Sequence, residues 1–138
     1  MNMTDAISII DDGQDDYRAG ACNIGPDEIR KRRAAGVAAA VATVALGAGL
    51  LAIGAPAPAR LLVALPAAGS AIGFLQARSR FCLGFAIAGV RNFGPVGSVV
   101  RVEDRDAHRA DLIAAVKLGA ESAAIGAAVG ILFALLPA

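Results

Sequence analysis

The stretch AAGVAAAVATVALGAGLLAIGAPAPARLLVALPAAGSAIGFLQA, residues 34–77, decides the fold. Its single charged residue, Arg60, closes the short turn Ala55-Pro56-Ala57-Pro58-Ala59-Arg60. A helix rises about 1.5 Å per residue, so about 20 residues cross a hydrocarbon core of about 30 Å. Ala34–Gly54 has that length. Leu61–Ala77 sits at the short end of the range, and Pro66 falls in its first turns, where a missing N–H costs little. A soluble helix of this size carries a polar stripe. Val37–Ile53 carries none. The stretch therefore reads as a transmembrane helix hairpin rather than as the buried hairpin of a soluble protein.

The flanks orient it. Arg30, Lys31, Arg32 and Arg33 abut the first segment, and Arg78 and Arg80 follow the second. Positive charge near membrane ends stays on the cytoplasmic side. The sequence thus predicts both outer ends of the hairpin inside and the Pro-rich turn outside.

Composition agrees. The chain has 138 residues, enough for one domain, and 57% of them are hydrophobic. A mean hydropathy of +0.61 suits an integral membrane protein. A formal net charge of +1 leaves no footprint for nucleic acid. The first membrane segment begins only after an acidic leader (Asp5, Asp11, Asp12, Asp15, Asp16), so it reads as an uncleaved anchor and not as a signal peptide. Residues 1–16 have little to bury and read as a disordered acidic tail.

Working outward from the hairpin, Tyr17–Arg33 brings a compact turn with Gly20, Cys22, Asn23 and Gly25. A helix start follows, with Pro26 first and the acids Asp27 and Glu28 behind it. That turn can lie on the membrane surface or on the protein's own cytoplasmic loop. On the other side, Phe81–Val90 reads as a short interfacial helix closed by Gly94-Pro95, and Val96–Val102 as extended. Residues 94–117 form a charged cytoplasmic linker in which Asp104 or Asp106 can cap a new helix. That helix leads into a third membrane segment, residues 118–138. Arg78, Arg80, Arg91, Arg101, Arg105, Arg109 and Lys117 keep the loop before it cytoplasmic, which leaves the C-terminus outside. Lys117 and Glu121 are four apart and can pair at the boundary.

Gly69 and Gly73, and again Gly126 and Gly130, have the spacing that lets helix backbones approach closely. They serve packing within the chain or dimerisation. The fold class expected is an all-α integral membrane protein: an N-terminal transmembrane hairpin domain over residues 17–93, with an interfacial segment, and a third C-terminal transmembrane helix.

One run carries a family resemblance. Asn23-Ile24-Gly25-Pro26-Asp27-Glu28-Ile29-Arg30, then Arg33 and Gly36, an apolar hairpin, Phe81-Cys82, Gly89 and Asn92 resembles the YgaP-like inner-membrane domain. The match covers residues 23–93. It departs where Leu83 stands in place of the family's Pro, and neither the acidic leader nor the third segment belongs to it. The resemblance implies a membrane hairpin that can dimerise, in a bacterial inner membrane. Some relatives carry a rhodanese domain; this chain does not, and no catalytic residue is implied.

Chemistry is sparsely written. His108 is the one histidine and reads as a solvated helix residue. Cys22 and Cys82 lack CxxC spacing, but each borders a membrane segment on the same face, where thiols stay reduced. They are either small apolar fillers or a thiol pair. The expected function is a non-catalytic membrane module that assembles with itself or with a larger complex in the lipid bilayer. No catalytic, cofactor or metal residues are expected. The alternative is a thiol-dependent protein of sulfur or redox handling that uses Cys22 and Cys82.

Overall fold

The computed structural model describes residues 16–137. The acidic tail expected over residues 1–16 lies outside them, apart from Asp16. Among the described residues, three helical stretches are long and apolar enough to cross a membrane: Pro26–Ala52, Ala57–Ser79 and Arg105–Ala134.

The first, α1 (Pro26–Ala52), opens on Pro26 with Asp27 and Glu28 in its first turn, where the helix dipole favours negative charge. It closes on Gly54, whose φ of 64° is left-handed. The Ala55 N–H then reaches back to the Leu50 carbonyl (2.9 Å) and the Gly54 N–H to that of Leu51 (3.1 Å). These are the two bonds of a Schellman cap. Pro56 is extended and starts α2 (Ala57–Arg60), so helix resumes four residues before the expected Leu61. A 3₁₀ turn, Leu61–Val63, separates α2 from α3 (Ala64–Ser79). Pro66 has no N–H for the Leu62 carbonyl and its ring crowds that carbonyl, so the chain tightens just upstream.

A second Schellman cap ends α3. The Phe81 N–H donates to the Gln76 carbonyl (3.1 Å), with Arg80 between them at φ 55°. An Arg in that conformation costs about 1–2 kcal/mol. The interfacial helix expected over Phe81–Val90 is shorter: α4 spans Leu83–Ala88 and stops at Gly89, φ 71°. Val90 instead begins β1 (Val90–Arg91), which pairs antiparallel with β2 (Val100–Arg101) in the register Val90 to Arg101 and Arg91 to Val100. The extended stretch expected over Val96–Val102 is thus a strand only at its end. Asp104 caps α5 (Arg105–Ala134), its Oδ1 accepting the Asp106 N–H at 3.0 Å.

The elements form two compact units. Residues 32–75 with 118–137 make a helical unit packed through small residues. A Cβ on Gly73 would lie 2.5 Å from the Gly36 nitrogen and 2.8 Å from the Arg32 carbonyl oxygen, so α3 meets α1 backbone to backbone. The Ser70 hydroxyl donates to the Gly36 carbonyl at 2.9 Å in the same place. A Cβ on Gly126 would lie 2.6 Å from Ala68 Cβ, and one on Gly130 2.7 Å from Ala64 Cβ, which seats α5 on α3. Gly69 is different: it is exposed, and its nearest neighbour is Ala39 Cβ at 3.8 Å. Val63, Ala67 and Ala71, one turn apart, form the buried stripe of this unit.

Arg60 is buried within this unit. Its Nε donates to the Ala55 carbonyl (2.9 Å) and a terminal nitrogen to the Leu136 carbonyl (2.7 Å). The guanidinium thereby ties the turn to the end of the third helical segment. Outward-facing Val41, Val44, Leu65 and Leu132 are largely exposed. An apolar exterior over a core of Ala, Gly and Ser inverts the soluble pattern.

Candidate functional site

Residues 16–31 with 76–117 make the other unit, the polar unit, whose core sets polar side chains beside Ile24, Phe81 and Ala86. Asn23, Asn92 and Asp111 are completely buried, and Glu28 is 1% exposed. Such groups need internal partners.

Asn23 supplies most of them. Its Oδ1 accepts the Cys82 N–H at 2.6 Å and its Nδ2 donates to the Cys82 carbonyl at 3.1 Å, so the side chain mimics a paired strand. Its own N–H donates to the Arg80 carbonyl (3.0 Å), and its carbonyl accepts from Asn92 (3.0 Å). The left-handed turn at Arg80 aims that carbonyl at Asn23. Gly25 continues the pairing, donating to the Asn92 carbonyl at 2.8 Å. No side chain fits there: a Cβ would lie 2.8 Å from both the Cα and the carbonyl oxygen of Phe93.

Asn92 holds the far side. Its Nδ2 donates to Glu28 Oε1 (3.1 Å) and to the Pro95 carbonyl (2.8 Å), while its Oδ1 accepts the Gly94 N–H (2.9 Å). Asp111, from the first third of α5, anchors the N-terminal turn. It accepts the Tyr17 hydroxyl and the Gly20 N–H, each at 2.7 Å. Gly20 has φ 72°, and a Cβ on it would lie 3.1 Å from the Ala110 carbonyl oxygen. The Arg91 guanidinium stacks 4.9 Å from the Tyr17 ring centroid. Burial, and then the Asp111 carboxylate, hold the Tyr17 phenol above its ordinary range.

His108 is not the solvated residue expected. It is half-buried, its Nε2 lies 3.1 Å from the Ala86 carbonyl, and its ring sits 3.5 Å from the place of a Gly89 Cβ. A carbonyl only accepts, so Nε2 carries the proton. The turn around Cys22 lies on the protein's own loop, one of the two places the sequence left open.

Cys22 is half-buried and Cys82 buried, and both are thiols rather than a disulfide. The Asn23–Cys82 hydrogen bonds bring their chain segments together. Burial pushes the Cys22 thiol up, and the Arg80 guanidinium offsets only part of that. The arginines therefore do not make Cys22 a ready thiolate. Arg30, Lys31, Arg33, Arg78 and Arg80 are exposed and Arg32 half-buried; Arg30 pairs with Asp27. Among the described residues, no group of three His, Cys, Asp or Glu side chains is placed to hold a metal ion.

Sequence reasoning missed the roles of Asn92, Asp111 and Arg60. The signal for Arg60 was its solitude, as the one charge in 44 apolar-rich residues spanning 34–77. Comparison with family models, curated proteins and solved structures finds no match to this chain.

Proposed function

We propose that the chain is a multi-pass protein of a bacterial inner membrane, N-terminus cytoplasmic, that works without catalysis as an assembly or accessory module. The observation that carries this reading is the fate of the buried polar side chains. Asn23, Asn92, Asp111 and His108 bond chiefly to the chain's own backbone. Groups that elsewhere do chemistry are engaged here in holding chain segments in place. Charge supports the orientation: the exposed basic residues flank the hairpin, whereas Arg60 in the turn is buried on carbonyls.

The resemblance to the YgaP-like domain stands as part of this proposal. Of the residues it rests on, Asn23, Gly25, Glu28, Phe81, Cys82, Gly89 and Asn92 belong to the polar unit, while Arg33 and Gly36 belong to the helical unit. For association, the helical unit offers a partner helix or a second copy an apolar groove lined by Thr43, Val44, Ser70, Phe74, Ile125 and Val129. The adjacency of the Cys22 and Cys82 segments favours thiol handling as a second reading; the raised Cys22 thiol weighs against it.

Purification in mild detergent, followed by mass spectrometry and light scattering, tests the proposal. A stoichiometric membrane partner or a defined oligomer supports the module. A lone monomer whose thiols exchange rapidly with persulfide or disulfide donors supports the second reading instead.

A further inference from the structure

We infer that the apolar groove of the helical unit holds one phospholipid, with an acyl chain along its length and the phosphate at Arg33. The inference rests on the membrane placement proposed above and assigns the groove named there to a lipid rather than to a helix. Ala40 and Val44 of α1 form one wall and Ile125 and Val129 of α5 the other, over a floor on α3 from Ala67 to Leu75. The groove has a volume of about 420 Å³, within the range of about 300–1,000 Å³ usual for ligand sites.

Its polar groups are turned away. The Thr43 hydroxyl donates to the Ala39 carbonyl at 2.7 Å, and the Ser70 hydroxyl to the Gly36 carbonyl at 2.9 Å. A polar ligand would lose its hydrogen bonds to water here and gain none, whereas a hydrocarbon chain loses nothing. Left unfilled in a bilayer, the groove forfeits the dispersion contacts of its lining; a flexible chain restores them without moving the helices.

Length and charge fix the occupant. Eight residues of floor, Ala67 to Leu75, span about 12 Å, close to one leaflet of a hydrocarbon core of about 30 Å. A membrane-crossing helix needs a track through both leaflets. This track stops one turn past Val44, where the Phe133 ring lies 3.4 Å from the place of a Gly47 Cβ and fills the space between α5 and α1. At the other end the Phe74 ring lies 3.2 Å from the place of a Gly36 Cβ, one turn from Arg33. Arg33 stands seven and eleven residues before Ala40 and Val44, so it shares their face of α1, and it is exposed. A phosphate on a chain lying in the groove comes within reach of its long side chain. Arg32 adds to the charge at this end, against Glu121 as the one acid of the unit, while Arg60 is engaged on carbonyls in the distant turn.

The full chain, purified in dodecyl maltoside, is titrated with phosphatidylglycerol under native mass spectrometry. The expected result is one lipid per chain, bound saturably. Ala40→Leu and Val129→Phe fill the groove from opposite walls and should each abolish binding, with thermal melts by circular dichroism showing that the variants fold. Arg33→Gln, a surface change, should weaken binding about fivefold. A folded parent that retains no lipid overturns the inference. So does lipid that binds without saturation and ignores the filling variants, or glycerol phosphate that binds as tightly as the lipid. A dimer that the filling variants abolish, with no lipid bound, marks a second copy as the occupant and overturns it too. Alkaline carbonate extraction of membranes separates the failures. Protein stripped from the membrane refutes the membrane placement together with the inference, while protein that is retained but binds no lipid refutes the inference alone.

Discussion

Gly69 and Gly73 lie one turn apart on the same helix, have the same spacing signature, and should answer the same substitution oppositely. In Gly73→Ala the new Cβ falls 2.5 Å from the Gly36 nitrogen and 2.6 Å from its Cα, both backbone atoms. Carbon contacts settle near 3.5–4.0 Å, so α3 and α1 must part by about 1 Å. Overpacking of this kind costs about 1–3 kcal/mol. The Ser70–Gly36 hydrogen bond, 2.9 Å long, stretches with it. Interhelical bonds in membranes average about 0.6 kcal/mol, which brings the expected loss to about 2–4 kcal/mol. In Gly69→Ala the nearest atom is Ala39 Cβ at 3.8 Å, an ordinary contact. Stability should stay within about 0.5 kcal/mol of the parent or rise with helix propensity. Unfolding in mixed micelles of dodecyl maltoside and sodium dodecyl sulfate, followed by far-ultraviolet circular dichroism, reads both. Equal destabilisation, or a larger loss for Gly69→Ala, would refute the packing argument.

Asn92→Leu keeps the branched four-atom side chain but removes three hydrogen bonds, at about 1 kcal/mol each, so amide exchange should accelerate across 23–25 and 92–102 while α1 beyond residue 36 stays protected. Arg60→Met strands the Ala55 and Leu136 carbonyls; bonds to charged groups are worth about 1.5–3 kcal/mol, and Arg60→Lys should restore at most one of the two in the same unfolding assay. The Cys22 thiol is raised by burial, so its thiolate fraction at pH 7 is below that of an exposed cysteine, and its iodoacetamide labelling should rise with a midpoint above the ordinary thiol value. A midpoint below that value would revive the thiol reading.

The helical unit was legible because its signal adds up over many residues. Twenty uncharged, largely apolar positions in a row are long enough to cross a membrane whatever their order, and Pro26, Gly54 and Asp104 mark ends by local chemistry alone. The polar unit was not legible in the same way. Asn23 and Asn92 are 69 positions apart in the sequence, and Tyr17 meets Asp111 across 94. Nothing local distinguishes a buried asparagine from a solvated one. Asn23 is where the distant segments meet: its amide bonds the Cys82 backbone and its carbonyl accepts the Asn92 N–H. His108 was misplaced for a related cause. Its neighbours Arg105, Asp106 and Arg109 are exposed, but one helical face turns the ring onto the Ala86 carbonyl. The helix expected over Phe81–Val90 with Gly94-Pro95 as its stop overran Gly89, whose left-handed φ ends α4 at Ala88.

The central claim is a three-span protein whose N-terminus is cytoplasmic and whose C-terminus is not. Paired fusions of alkaline phosphatase, active only outside, and of green fluorescent protein, fluorescent only inside, measure it at the N-terminus, after Ala57 and at Ala138. The account predicts fluorescence without phosphatase activity at the N-terminus and phosphatase activity without fluorescence at both other positions. A fluorescent, phosphatase-inactive fusion at Ala138 would contradict it, because Arg105–Ala134 would then not cross the membrane.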